Sequence, residues 1–142
     1  MKRSIFIISA LFVFALSGCG ETERFSKEST YKESDNKSVT LSVSEDSVTS
    51  KGLTLTIKNN TDKEITYGED YVLEQKRSDK WYKSDDEQSF TALGCVLKAN
   101  DTNEDEISFS ALEDGEYRII KEFSDDSEEF EVCAEFDLKG EN

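Results

Sequence analysis

The chain is 142 residues long, with 32 acidic residues against 17 basic ones, no His and no Pro. That length allows one modest domain, and a net charge of −15 argues against nucleic acid as a partner, because neutralising phosphates takes clustered Lys and Arg. With no His, the commonest general base and zinc ligand are both missing.

Lys2 and Arg3 precede an apolar run of 12 residues, Ile5 to Leu16. About 20 apolar residues are needed to cross a bilayer, whereas a secretory leader needs about 7 to 15, so residues 1–18 read as a signal peptide. Its end, Leu16-Ser17-Gly18-Cys19, resembles the bacterial lipobox, and the resemblance implies lipidation of Cys19, which becomes the mature N-terminus. With two or more acyl chains, each buried methylene contributing about 0.8 kcal/mol, such an anchor is stable. The protein is therefore expected on the outer face of the bacterial cytoplasmic membrane, held by lipid and not spanning. Removing residues 1–18 takes away two cations and no anions, so the charge goes from −15 to −17 on 142 − 18 = 124 residues. An anionic leaflet repels such a domain, which favours one that stands off on a tether.

Residues 19–37 are expected to be that tether. The stretch is rich in Ser, Glu and Lys, with Phe25 and Tyr31 as its only large apolar side chains, and has too little to bury to offset its ordering entropy. From 38 to 138 the pattern turns to period two. Val39, Leu41 and Val43 alternate with polar residues, as do Leu53, Leu55 and Ile57, and the two runs are expected to pair through 44–52. Asn59-Asn60-Thr61 suits a turn. Strand-length runs follow at 64–68, 71–76, 80–83, 90–99, 104–109, 116–123 and 129–138. In the last, Phe130, Val132, Ala134, Phe136 and Leu138 share one face, while Cys133 lies among the carboxylates of the other. No long amphipathic helix is read. The expectation is all-β, an antiparallel sandwich of about seven to nine strands over 38–138, with 139–142 as a tail.

Asp114 to Ile119 resembles the opening of strand F in immunoglobulin-like sandwiches and implies a tyrosine corner at Tyr117. Together with Leu53 to Thr61, Ile65 to Gly68, Glu74 and Lys80-Trp81-Tyr82, it resembles a bacterial Ig-like domain family common in Gram-positive lipoproteins, over about 38 to 138. The resemblance implies a fold and a cell-surface setting, with no catalytic residues. Ile57 and Ile119 stand roughly where antibody domains place the inter-sheet disulfide, so the sheets are expected to pack on apolar contacts.

In an oxidising exterior Cys95 and Cys133 are read as a disulfide, stabilising by roughly 3 to 4 kcal/mol in the chain-entropy model. Alternation points Cys95 to the core and Cys133 to the polar face, which keeps two separate thiols as the alternative. Asp101 to Glu106 begins like a calcium loop but has Glu106 at the turn glycine and Leu112 at the twelfth position, which excludes an EF-hand. No metal or cofactor is assigned. Tyr67, Tyr71, Trp81 and Tyr82 are the densest aromatic group: Tyr67 and Tyr71 are read as core, and Trp81 and Tyr82 as a binding surface, with Tyr82 the more exposed. The function expected is non-catalytic binding or accessory structure at the cell envelope, with a protein partner. The alternatives are a small-solute or calcium-binding lipoprotein and, behind these, an envelope hydrolase using paired carboxylates.

Overall fold

The computed structural model describes residues 24–86 and 94–140. The signal peptide, Cys19 and residues 90–93 of the run at 90–99 lie outside the described residues. Ten strands are described: β1 (Phe25–Glu28), β2 (Val39–Val43), β3 (Gly52–Asn59), β4 (Ile65–Tyr67), β5 (Val72–Arg77), β6 (Lys80–Ser84), β7 (Cys95–Leu97), β8 (Thr102–Ser108), β9 (Gly115–Ser124) and β10 (Glu129–Leu138). All pairings between them are antiparallel. One sheet has the order β2-β3-β8. The other runs β1-β6-β5-β9-β4-β7, with β10 on the remaining side of β9.

The two sheets bury their inner faces against each other, as the alternation predicts. Leu53, Leu55 and Ile57 of β3 meet Tyr117, Ile119 and Phe123 of β9 and Phe130, Ala134 and Phe136 of β10 in one core. Ring contacts run through it: Phe25 to Tyr117 at 5.8 Å between centroids, Tyr117 to Phe136 at 5.6 Å, and Phe136 to Phe109 at 6.1 Å. The Tyr117 hydroxyl donates to the Glu113 carbonyl, 2.6 Å away and four residues upstream, which fixes the entry into β9. Burial pushes that phenol above its ordinary pKa.

Lys121 occupies the inner face of β9 in phase with Tyr117, Ile119 and Phe123, yet it is only 1% exposed. Its position explains it. β5 and β4 share one side of β9 end to end, and the chain leaves β9 between them at 68–71. Lys121 Nζ donates to the carbonyls of Gly68 (2.9 Å) and Asp70 (3.1 Å) in that gap and lies 5.4 Å from the Tyr67 ring centroid. Burial lowers its pKa from 10.5, opposed by Asp105, Asp70, Cys95 and Glu69. Between the lowered folded-state value and 10.5 the unfolded chain holds more protons, so stability rises with pH across that window. Melting curves of the wild type and Lys121→Met are therefore expected to shift in the wild type's favour between neutral pH and about pH 10. A constant difference would mean that the amine titrates alike in both states.

Residues 25–37 are not a tether. Arg24 forms an ion pair with Asp86 and donates to the carbonyls of Ala111 (2.8 Å) and Ser110 (3.0 Å). Phe25 is buried in the core, and β1 adds to the free side of β6. Beyond it, Ser29 N–H donates to the Trp81 carbonyl (2.8 Å), Tyr31 lies against Arg118, and the Asn36 side chain reaches Glu128 (2.7 Å). The segment is a strap across the outer face of the larger sheet, from β6 over β9 toward the start of β10. Composition underestimated it because the surface that it buries belongs mostly to the strands beneath.

Candidate functional site

The strap covers an ion pair. Glu74 on β5 and Arg118 on β9 face each other across the ladder on the outer side of the sheet. Arg118 Nε and Nη2 each lie 2.6 Å from Glu74 Oε2, and Nη2 also donates to Ser29 Oγ (3.2 Å). The guanidinium is 4.3 Å from the Trp81 ring centroid and 4.9 Å from that of Tyr31. Glu74 is 2% exposed and Arg118 8%. Arg suits this position, since its planar cation stacks on rings while its edge donors hold a carboxylate. Burial, the Cys133 thiol and Glu33 push the Tyr31 phenol well above its usual pKa, while Arg118 pulls it down.

Beside the strap the two sheets meet at a seam. Among the described residues β10 pairs with β9 along one side only, and β2 with β3 along one side only. The two unpaired edges run alongside each other without forming a ladder. Two clefts follow this seam and share Val43 and Glu135: one of about 540 Å3 reaches Tyr31, Arg118 and Cys133, and one of about 570 Å3 continues past Val48 to Lys139. The floor is apolar, from Leu41, Val43, Ala134 and Phe136, and the rim is acidic, from Glu33, Glu45, Glu116, Glu135 and Asp137.

The sequence-derived residues fall into this frame with two corrections. Trp81 and Tyr82 point to opposite sides of β6: Trp81 outward over Arg118, and Tyr82 inward against the core with Arg77 4.4 Å from its ring centroid. The expected order of exposure is thus replaced by a difference of face. It is set by the two-residue turn at Ser78 (φ 50°) and Asp79 (φ 65°), which pairs Lys76 with Trp81 and Gln75 with Tyr82. Second, Cys95 and Cys133 are free thiols. Cys95 lies opposite Tyr67, on the inner side of the sheet. Cys133 lies opposite Ile120, on the outer side and in a strand three ladders away, so no bridge can close.

Asp101 to Glu106 is mostly strand β8, and alternation sends Asn103 and Asp105 inward beside Tyr67 and Glu104 and Glu106 outward. Among the described residues no group of three His, Cys, Asp or Glu side chains converges as a metal site would require. From sequence Glu74 entered only through the family resemblance and Tyr31 only as a tether residue, and neither was joined to Arg118. The signal was Ile119-Ile120, adjacent apolar residues that put one apolar side chain on each face of the strand.

A family model described as a bacterial Ig-like domain matches residues 35–137. No curated protein and no solved structure matches the chain significantly.

Proposed function

Because the chain belongs to the bacterial Ig-like domain family, whose members are in general non-catalytic, we propose that it is a lipid-anchored envelope protein that acts by binding another protein. The anchor rests on the lipobox at Leu16 to Cys19 behind a secretory leader. The binding role rests on the two clefts along the seam between β2 and β10, whose acidic rim over an apolar floor suits a partner that brings basic and apolar side chains.

Two measurements on cells test the two halves. Intact-mass analysis of the mature protein is expected to show a lipidated Cys19 terminus and two thiols alkylated without reductant. Cys19→Ala is expected to leave the membrane fraction. A photo-crosslinking residue at Asp137 in the anchored protein is expected to capture a protein that the same residue at Lys58, on the outer face of the smaller sheet, does not. An unprocessed chain, or equal capture at both positions, would overturn the reading.

A further inference from the structure

We infer that the partner lies along the seam as an α-helix of about three to four turns, with aliphatic residues down one stripe and Lys or Arg beside it. This rests on the binding role proposed above and specifies its ligand. The seam leaves no backbone to pair with: β2 lines the edge of β10 with Cα atoms within 8 Å, and Tyr31 of the strap reaches the Cys133 thiol. An occupant that turns its backbone away from water there has to bring its hydrogen bonds already made, as a helix does and an extended segment does not. The helix rests above the two edges, and only its side chains enter the clefts.

The spacing of the clefts fits the helical repeat. Along β10 the first centres on Ala134 and the second on Asp137, three residues on, or about 10 Å away. Two helical turns, or seven residues, advance about 10.5 Å. Side chains at i and i+7 therefore drop into the two clefts, while those at i+3 or i+4 pass over Val43, which both clefts share and which is only partly buried. Charge selects the flanks. Glu33, Glu135, Asp137 and Glu116 border the groove on the side of the larger sheet, and Glu45 stands just past β2 on the other. Two cations line it as well: Arg118, whose charge Glu74 holds, and Lys139, at the far end of the second cleft. The carboxylates outnumber them, so basic residues beside the apolar stripe complement the rim. Among the described residues this chain has no α-helix, so a second copy is not the occupant. Tyr31 and Glu33 belong to the strap, so a helix in the first cleft also holds the strap in place.

The test uses the whole mature chain, residues 19–142, kept free of lipid by Cys19→Ser, and three labelled peptides of about fourteen residues. One sets Leu at helical spacing with Lys beside it, one rearranges the same residues to period two, and one breaks the helical design with a central proline. The helical peptide is expected to bind at low salt and to gain helical circular dichroism on binding. It is also expected to slow alkylation of Cys133, which lines the first cleft, and not that of Cys95. The other two peptides, and the helical peptide on the double variant Glu45→Lys with Asp137→Lys, are each expected to bind about tenfold more weakly or worse. Glu45 and Asp137 are exposed, so the double variant should keep the wild-type melting temperature, which checks that its effect is local. Equal binding of all three peptides would mean general attraction to a polyanion, and tighter binding of the period-two peptide would mean recognition of an extended chain. Either would overturn the inference, as would no binding or binding that leaves Cys133 unprotected. In each of these events capture at Asp137 in cells would leave the binding role standing, whereas loss of that capture would remove the role itself.

Discussion

Arg118→Ala is expected to destabilise the domain by about 3–5 kcal/mol, because it leaves the Glu74 carboxylate buried without its cation. In a domain of this size that is a fall in Tm of roughly 10–20 °C. The loss has three parts. The two bonds to Glu74 go, the stacking between Trp81 and Tyr31 goes, and Ser29 loses the donor that holds the strap. The strap should therefore open before the sandwich does, and trypsin should cut after Lys32 in the variant under conditions where the wild type is intact. Replacing both partners, Glu74→Met with Arg118→Met, is expected to recover most of the stability, since no orphan charge remains. It should not restore resistance at Lys32, since neither Tyr31 nor Ser29 regains its partner. A fall below about 1 kcal/mol for Arg118→Ala would show the pair to be solvated like an ordinary surface bridge.

Asn59→Ala is expected to cost about 3 kcal/mol or more, since it orphans several buried groups at once. Asn59 is fully buried. Its Nδ2 donates to the carbonyls of Lys63 (2.7 Å), Leu97 (3.2 Å) and Lys98 (3.1 Å), and its Oδ1 accepts from Thr61 N–H (2.9 Å) and the Thr61 hydroxyl (2.7 Å). One side chain thus joins the end of β3, the turn into β4 and the end of β7. Asn59→Asp is the sharper variant. It keeps the size and the bonds to Thr61 but turns a second oxygen toward three carbonyls and buries a charge, so it is expected to destabilise more than Asn59→Ala. The carboxyl that it introduces is held above its usual pKa, so this penalty should shrink as pH falls through the folded-state value. Chemical denaturation of the two variants at neutral and at mildly acidic pH reads both effects, and equal stability of the two would show that the carbonyls are satisfied without the amide.

Asn59 also marks how far the sequence could be read. Asn59-Asn60-Thr61 was recognisable as a turn from residue type, but three of the groups satisfied there, the carbonyls of Lys63, Leu97 and Lys98, lie beyond Thr61, which no local pattern reports. Strands β3 and β10 were legible because each buries one face and leaves the other wet, so alternation fixes both their extent and the faces they present. β6 was legible as a strand but not as an orientation. Five residues with apolar side chains on both sides carry no parity of their own, and the turn at Ser78-Asp79 decided it. The strap was misread for a different reason. Low hydrophobicity measures what a segment contributes to burial, whereas here the buried surface is supplied by Ile120, Trp81 and the Glu74 to Arg118 pair below. In the site itself, the acidity of the β10 outer face was legible from alternation, but the unpaired edge beside β2 is a property of strand order and needs the assembled sheets.

The ordered strap resets how far the protein can reach. Were residues 19–37 free, 18 links of about 3.4 Å would let the sandwich roam roughly 60 Å from an acylated Cys19. With the chain fixed from Arg24 onward, five links remain, or about 17 Å. The volume swept falls with the cube of that radius, to roughly one fortieth, and local concentration rises to match. On the anchor and binding role proposed above, a partner engaged along the seam has to come to the bilayer surface itself, and one that stops some 40 Å short goes unmet.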